Sequence, residues 1–257
     1  MPEDLIVSRH SNAIRTLTRN RPRIMNALNL DVIYGLKRHL EESRSARDVR
    51  VIILQGAGKH FSSGADMALL NEGVSPSEAL EWMRSFGKLI RTMRELPLPI
   101  IVKLRGVAAG GGANLALAGD FVIASHDTRF NEIFINIGLI LDGGGTFFLP
   151  RLVGSVKARE LALLGKEISG EDAASMGLIY KSVPDDKLDH EVETFAKILA
   201  RKPQSAMAYI KEGLEGSLGM TLKESLQWEA SHQAIMLQSN EHKEAVGRFF
   251  ESRGKKE

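Results

Sequence analysis

The sequence predicts an α/β protein that ends in a helical region. Short apolar segments typical of buried strands, such as VRVIILQG and PIIVKLRG, alternate with segments of helical spacing. Near residue 195, after GLIYKSVPDD, the pattern becomes almost wholly helical. We therefore predict a mixed core over residues 1–195 and a helical region over residues 196–257. That region is too thin for a core of its own, so we expect it to pack on a neighbouring subunit, the alternative being a helical cap on its own core.

The elements of the predicted core follow in order along the chain. IRTLTRN alternates apolar and polar residues and is predicted as a strand. The next segment, LDVIYGLKRHLEESRSA, has Ile33, Leu36 and Leu40 on one side of a helix. VRVIILQG is then a buried strand, and a helix begins at Ser75 or Ser77 and runs to the strand PIIVKLRG.

One pattern occurs three times in this core. Residues 51–70, 100–120 and 136–154 each pass from an apolar stretch through glycines into a helix-like segment. A weak repeat of this kind predicts strand-and-helix units stacked in a spiral. The alternative is that any α/β protein contains such strand–glycine–helix junctions.

Composition excludes several classes of function. The net charge of the 257 residues is +2, which gives no electrostatic case for binding nucleic acid or a membrane. The chain has no cysteine for a disulfide, a thiolate metal site or a cysteine nucleophile. The N-terminus lacks the apolar centre of a signal peptide, and no apolar run approaches the roughly 18 residues that cross a bilayer. We expect a soluble cytoplasmic protein.

The familiar chemical motifs are missing. GAGKHF lacks the spacing of a phosphate-binding loop, and neither GGGANL nor GGGTFF forms the dinucleotide fingerprint. The seven histidines are scattered, so we predict no metal site. FSSGAD is not a nucleophile elbow, which leaves Ser62 and Ser63 as loop residues.

Two glycine-rich junctions remain as candidate chemistry. Glycines at SSGADM and AGGGAN come directly before helix-like segments, where backbone N–H groups are free and the helix dipole is positive. If the two helix ends converge, their amides can form an oxyanion hole. The alternative is close packing of small residues against a strand.

At this point the residues match a family. RNRPRIMNALNLDV, GAGKHFSSGADMALL, GVAAGGGANLALAGDFVIAS, GGGTFFLPRLVG and ISGEDAASMGLIYKSVPDD together resemble the crotonase superfamily of enoyl-CoA hydratases and isomerases, in order and over nearly the whole chain. The resemblance implies a spiral of ββα units with a helical C-terminal region and a homotrimer or homohexamer. It also implies an acyl-CoA thioester held by two backbone N–H groups, with coenzyme A entering only as part of the substrate and no separate cofactor.

The resemblance also assigns residues to the site. The two amides correspond to Ala65 and to Gly111, next to Gly110 in the triple glycine. Residues implied along coenzyme A are Ser63, Ala65, Asp66 and Met67, with Asp66 better suited to capping a helix than to chemistry. Arg23, Ile24 and Lys59 correspond to the nucleotide end, although a solvated surface charge is the simpler interpretation of Arg23 and Lys59.

The sequence departs from the hydratases of that family at both glutamates. Their positions hold Asn114 and Phe134, neither of which exchanges a proton at neutral pH. Glu132 lies two residues before Phe134, and an alternating strand would direct both to one side. Glu132 is therefore a possible substitute, and an equally good interpretation is a packing or surface residue.

Asp142 is the carboxylate that remains. It corresponds to an aspartate of the isomerase branches, most similarly the ring-1,2-epoxyphenylacetyl-CoA isomerases, although Leu141 replaces the usual proline before it. Leu139, Leu141, Phe134 and Phe147 are expected to raise its pKa and strengthen it as a base. The competing interpretation is an N-cap for a helix beginning in GGGTFF, which needs no catalysis.

Three functions stay open on this evidence. The favoured one is an isomerase of unsaturated or ring-epoxide acyl-CoA that works with Asp142 alone. The second is an enoyl-CoA hydratase that uses Glu132 or an unforeseen acid. The third is a CoA-binding subunit with little activity of its own.

Overall fold

A computed structural model of the protein describes residues 5–66 and 73–254. In these ranges the strands are β1 (Ile6–Ser11), β2 (Ile14–Arg19), β3 (Val51–Gly56), β4 (Ile100–Leu104), β5 (Val107–Ala109), β6 (Phe121–Ser125), β7 (Arg129–Asn131), β8 (Ile168–Ser169) and β9 (Lys181–Val183). The α-helices are α1 (Leu30–Ser45), α2 (Pro76–Glu95), α3 (Gly111–Leu117), α4 (Gly145–Leu164), α5 (Gly170–Ser175), α6 (Asp185–Ala200), α7 (Gln204–Ser217), α8 (Leu222–Gln238) and α9 (Asn240–Gly254). Short 3-10 helices cover Pro22–Ile24 and Ile133–Ile137.

The larger sheet has the order β1-β2-β3-β4-β6-β9 and is parallel except for the β1–β2 hairpin. One face is covered by α1 and α2, through residues such as Leu36 and Leu89. The other face is covered by α6, which packs Leu188 and Val192 against Ile53 and its neighbours. A parallel sheet buried on both faces explains why its strands are continuously apolar in sequence.

The chain also forms a smaller sheet with the order β5-β7-β8. Single parallel bridges join Ser62 to Ala108 and Leu28 to Ala65. These bridges bring the SSGAD segment alongside β5, immediately before the triple glycine. The second sheet therefore places the two glycine-rich junctions next to each other.

The α/β class and the helical C-terminal end are confirmed, as is the helix start at Ser75, whose side chain accepts a hydrogen bond from the backbone N–H of Glu78. One expectation is wrong. The apolar stretch of the third repeat is not a strand, because pairing stops at Asn131 and residues 133–137 form a 3-10 helix. The chain then turns at Gly138, whose φ is 71°, and leaves Ile140 86% exposed. After this turn Asp142 lies beside Gly111 and Asn114 of α3.

The last three helices extend from the core and are attached to it through α7. Lys211 donates to the carbonyl oxygens of Met93 and Leu98 and, at 2.7 Å, to the carboxylate of Asp120. Residue 195, where we placed the domain boundary, lies inside α6, and the apolar side of that helix belongs to the core. The division into residues 1–195 and 196–257 stays a prediction.

Within the described ranges, none of the helices combines the length and the apolar character needed to cross a membrane.

Candidate functional site

The backbone segment around Ala65 is fixed at the edge of the smaller sheet by hydrogen bonds of its neighbours. Ser62 exchanges backbone hydrogen bonds with Val107 and Ala109, at 2.9 and 3.0 Å. The N–H of Leu28 then donates to the oxygen of Gly64, and Asp66 donates to the oxygen of Leu28, at 2.8 and 2.9 Å. Both neighbours of Ala65 are thus paired, whereas its own N–H donates no hydrogen bond to a described residue.

The N–H of Gly111 is the second candidate donor. Gly111 is the first residue of α3, so its N–H has no partner within the helix. Gly110 adopts a φ of 52° and uses its own N–H in a 2.9 Å bond to Asn131. A Cβ atom added to Gly64 would lie 3.5 Å from the nitrogen of Gly111. The structure therefore brings the Ala65 and Gly111 segments together, while Gly110 serves the backbone turn.

The Asp142 side chain lies beside Gly111. A Cβ atom added to Gly111 would be 3.6 Å from Oδ1 of Asp142, and this oxygen is buried with no hydrogen-bond partner in the described part of the chain. The N-cap interpretation of Asp142 is wrong, because α4 starts at Gly145 with Gly144 as its N-cap and no side chain capping it. Positive φ angles of 53° and 90° at Gly143 and Gly144 separate Asp142 from the helix end.

Burial raises the pKa of Asp142 from 3.8 to about 6. The direction agrees with our expectation, but the apolar neighbours differ in part. Leu139 and Phe147 are 46% and 37% exposed, and the ring of Phe147 packs under Arg151 instead. The ring of Phe86, from α2, lies 3.4 Å from the Cβ position of Gly111 and also crowds Gly143.

Asn114 joins two parts of the site. Its side-chain Nδ2 donates to the backbone oxygen of Asp142 at 2.9 Å and to Oε2 of Glu132 at 3.2 Å. Phe134 is also buried, 3.7 Å from the Cβ position of Gly110, so it forms an apolar wall at the triple glycine. Neither residue supplies a proton, but both shape the surroundings of the site.

Glu132 is 1% exposed. Our expectation that an alternating strand directs Glu132 and Phe134 to the same side is wrong, because β7 ends at Asn131 and a 3-10 helix follows. Burial, together with the negative charge of Asp142, raises the pKa of Glu132 to about 8 despite the hydrogen bond from Asn114. Within residues 5–66 and 73–254, no group of three His, Asp or Glu residues could hold a metal ion.

The residues expected along coenzyme A lie along one rim. Arg23 and Ile24 are exposed on the first 3-10 helix, and Pro22 of that helix approaches the turn at Gly58, next to exposed Lys59. Ser63 donates its hydroxyl to the oxygen of Ile24 at 3.3 Å. We name Arg23, Ile24, Lys59 and Ser63 the nucleotide rim.

Asp66 accepts a 2.8 Å hydrogen bond from Arg21, and both side chains are partly buried. Met67 lies outside the described residues. Two residues that contact the site, Arg21 and Phe86, have no distinctive signal in the sequence. Arg21 could be noticed only as one more basic residue in RNRPR, whereas Phe86 lies on the buried face of α2 with Trp82 and Leu89.

The chain is similar to known proteins over nearly its full length. Residues 9–256 match the profile of the enoyl-CoA hydratase/isomerase family. A probable enoyl-CoA hydratase of Rhodobacter capsulatus is 38% identical over 95% of this chain and 93% of its own. The 1,2-epoxyphenylacetyl-CoA isomerase of Escherichia coli is 35% identical over 97% of each chain.

A crystal structure of a putative enoyl-CoA hydratase from Streptomyces coelicolor A3(2) superposes with a TM-score of 0.92. The two chains are 34% identical, and the match covers 98% of this chain and 94% of the other.

Proposed function

The chain belongs to the enoyl-CoA hydratase/isomerase family, and from that premise we propose that it isomerises an unsaturated or ring-epoxide acyl-CoA with Asp142 as the proton-transferring group. The observation that carries the proposal is the position of Asp142, whose free Oδ1 lies beside Gly111. Since this oxygen has no hydrogen-bond partner among the described residues, it is available to a bound thioester, which supports the proposal.

The reaction begins with polarisation of the thioester carbonyl. Its oxygen accepts hydrogen bonds from the N–H groups of Ala65 and Gly111, which stabilise negative charge on that oxygen. The α- and γ-hydrogens then become acidic, because their removal leaves a dienolate spread over the acyl chain. Each donor contributes on the order of 3 kcal/mol to the transition state.

Asp142 then moves one proton. Its carboxylate takes a proton from the α-carbon of a 3-enoyl thioester and returns it to the γ-carbon, so that the double bond moves from C3–C4 to C2–C3 and becomes conjugated with the carbonyl. In the reverse direction it takes a proton from the γ-carbon of a 2-enoyl thioester and returns it to the α-carbon. No water is added and no group leaves, so a single base balances the reaction. A pKa of about 6 leaves Asp142 ionised at neutral pH and makes it more basic than an exposed aspartate.

Neither Asn114 nor Phe134 exchanges a proton at neutral pH, and this supports an isomerase over a hydratase. In place of the two acids that water addition needs, the site has an amide that holds the Asp142 loop and an apolar ring beside Gly110. We propose that Phe134 and Phe86 exclude water from the acyl chain. Desolvation of this kind favours proton transfer between carbon atoms over hydration.

We propose that the nucleotide rim and the segment Asp66–Met67 line coenzyme A. The exposed cations Arg23 and Lys59 suit phosphate groups, to which such side chains donate charge-assisted hydrogen bonds. Asp66 is already paired with Arg21 and therefore acts on the shape of this segment more than on the charge of the ligand.

A hydratase is the second candidate, because the Rhodobacter relative is named a probable enoyl-CoA hydratase and Glu132 supplies a second carboxyl next to Asn114. Against it, Glu132 is sealed from solvent, and its Oε1 is fully buried. The third possibility is a CoA-binding subunit of little activity. It requires that Asp142 transfer no proton, although its Oδ1 has no hydrogen-bond partner among the described residues.

The homotrimer or homohexamer and the cytoplasmic location also remain proposals. The C-terminal helices support assembly by exposing large apolar side chains to solvent, among them Leu214, Leu222 and Phe250.

The test is to follow conjugated-enoyl absorbance with purified protein and, separately, a 3-enoyl-CoA and a 2-enoyl-CoA. We expect the 3-enoyl substrate to become conjugated, and Asp142→Asn to lower kcat by about 10³-fold, because the amide cannot accept the proton. The matched control is Asp127→Asn, the same change at an exposed turn.

Loss of the 2-enoyl signal in wild type and in Asp142→Asn alike would identify a hydratase. Binding of both thioesters without turnover, together with no conversion of a ring-epoxide acyl-CoA, would identify the inactive subunit. Either result overturns the isomerase assignment.

A further inference from the structure

Glu132 is a buried acid that no cation of residues 5–66 and 73–254 accompanies. It is 1% exposed, and within those ranges its carboxyl receives one hydrogen bond, from the uncharged amide of Asn114. Its Oε1 is buried with no partner among the described residues. A carboxylate in such surroundings loses its hydration without replacement, so the protonated form is favoured.

The groups around Glu132 do not reverse this preference. From α3 it faces Asn114, which carries no charge, and from the segment before α4 it experiences Asp142, which is negative. Its chain neighbours Asn131 and Ile133 are uncharged. A like charge nearby opposes ionisation further, because two carboxylates in one apolar site repel each other.

Asn114 connects Glu132 to the proton-transferring residue. One nitrogen, Nδ2, donates both to Oε2 of Glu132 at 3.2 Å and to the backbone oxygen of Asp142 at 2.9 Å. The amide can hold both acceptors only while it keeps this orientation. The carboxyl of Glu132 therefore fixes a side chain that in turn fixes the loop of Asp142.

We infer that Glu132 is a positioning residue, held as a neutral carboxylic acid, that orients Asp142 through Asn114 and limits the alkaline range of the enzyme. The inference rests on the proposed isomerase function. Ionisation of Glu132 would leave an uncompensated charge in an apolar site, and the charge can be relieved only by water entry or by movement of Asn114. Either change releases the backbone oxygen of Asp142.

The pH dependence of kcat tests this inference. In wild type we expect kcat to rise as Asp142 loses its proton near pH 6 and to fall as Glu132 loses its proton near pH 8. Glu132→Gln keeps an acceptor for Asn114 but cannot ionise. We expect this variant to lower kcat at pH 7 by less than about tenfold, which is much less than the loss expected when a general base is removed. We also expect kcat of the variant not to fall near pH 8.

Two further variants separate positioning from general damage. Glu132→Ala removes the acceptor, and we expect it to lower kcat more than Glu132→Gln while KM for the acyl-CoA changes little, because the nucleotide rim is untouched. Glu41→Gln, on an exposed position of α1, should leave the whole profile in place.

An alkaline fall that persists unchanged in Glu132→Gln overturns the inference. So does a Glu132→Gln enzyme as inactive at pH 7 as Asp142→Asn, since Glu132 would then transfer protons itself.

The protonation of Glu132 can be measured without turnover, by carbon-13 NMR of carboxyl-labelled glutamate in the ligand-free protein, with Glu132→Gln identifying the resonance. A resonance that titrates near pH 8 supports the inference even if no isomerisation is detected, in which case only the proposed function fails. A resonance that titrates near the ordinary glutamate pKa overturns it.

Discussion

At the scale of residues, the site depends on two carboxyl groups that burial affects to different degrees. Asp142 keeps a partly exposed position beside Gly111, and its pKa of about 6 leaves it charged at neutral pH. Glu132 is sealed and near the charge of Asp142, and its pKa of about 8 leaves it mainly neutral. These different pKa values are consistent with the proposal that Asp142 acts as a base while Glu132 serves as a neutral hydrogen-bonding support.

The same burial predicts a pH-dependent cost in stability. The folded-state pKa of Glu132 lies above its unfolded value of 4.5, so the wild-type protein has its full stability from this group below pH 4.5 and loses it as the pH rises to about 8. Glu132→Gln avoids the loss. The free energy of unfolding of the variant should therefore exceed that of wild type by an amount that grows over this range, up to about 5 kcal/mol.

Urea denaturation at pH 5 and pH 8 measures this difference, with Glu41→Gln as the exposed control. A difference that stays constant between the two pH values would show that Glu132 is ionised in the folded protein.

At the scale of elements, the proposed chemistry depends on two glycine-rich junctions of the backbone. β5 leads through Gly110, at a φ of 52°, directly into α3, and this turn leaves the N–H of Gly111 at the helix end. The parallel segment from Ser62 to Asp66 ends at the same edge. The two segments that carry the proposed donors are brought together by backbone pairing alone, since a single parallel bridge joins Ser62 to Ala108 of β5.

Gly111→Pro tests the backbone donor. Proline is tolerated at the first position of a helix and removes only the N–H that we assign to the oxyanion. The matched control, Gly111→Ala, adds a Cβ at ordinary contact distances of 3.4 to 3.7 Å and keeps the N–H. We expect kcat of the proline variant to be about 100-fold below that of the alanine variant, with similar thermal unfolding.

Equal kcat values in the two variants would remove Gly111 from the oxyanion hole. A proline variant that unfolds well below the alanine variant would instead point to a structural role for this N–H.

At the scale of the whole molecule, the C-terminal helices are attached to the core at few points and expose apolar surface elsewhere. Lys211, in the middle of α7, is largely buried and binds Asp120, and Arg94 pairs with Glu215 nearby. Beyond this attachment, Leu214, Leu222 and Phe250 are each more than 60% exposed. Apolar surface of this extent favours association between copies of the chain.

Sedimentation equilibrium tests the assembly. We expect the mass of a homotrimer or homohexamer, and we expect Leu222→Asp to weaken the association because it places a charge in the apolar contact. Lys223→Asp is the matched control on the next residue of α8. A monomeric wild-type protein would contradict an assembly role for residues 196–257.

The sequence by itself determined the elements whose signals are local. Buried strands such as VRVIILQG, the helix start at Ser75 and the glycine junctions all follow from periodicity and backbone preference within a few residues. The match of several motifs in order determined the family, and with it Asp142, Ala65 and Gly111 as residues to examine.

Only the tertiary structure decided how those residues are arranged. The letters DGGGT by themselves favour Asp142 as an N-cap, and the positive φ angles of Gly143 and Gly144, which separate it from the helix end, exclude that role. The burial of Glu132, its link through Asn114 and the approach of Phe86 join segments 18 to 50 or more residues apart. Burial and pKa depend on which side chains are shielded from water by distant segments, and a local sequence pattern does not specify those segments.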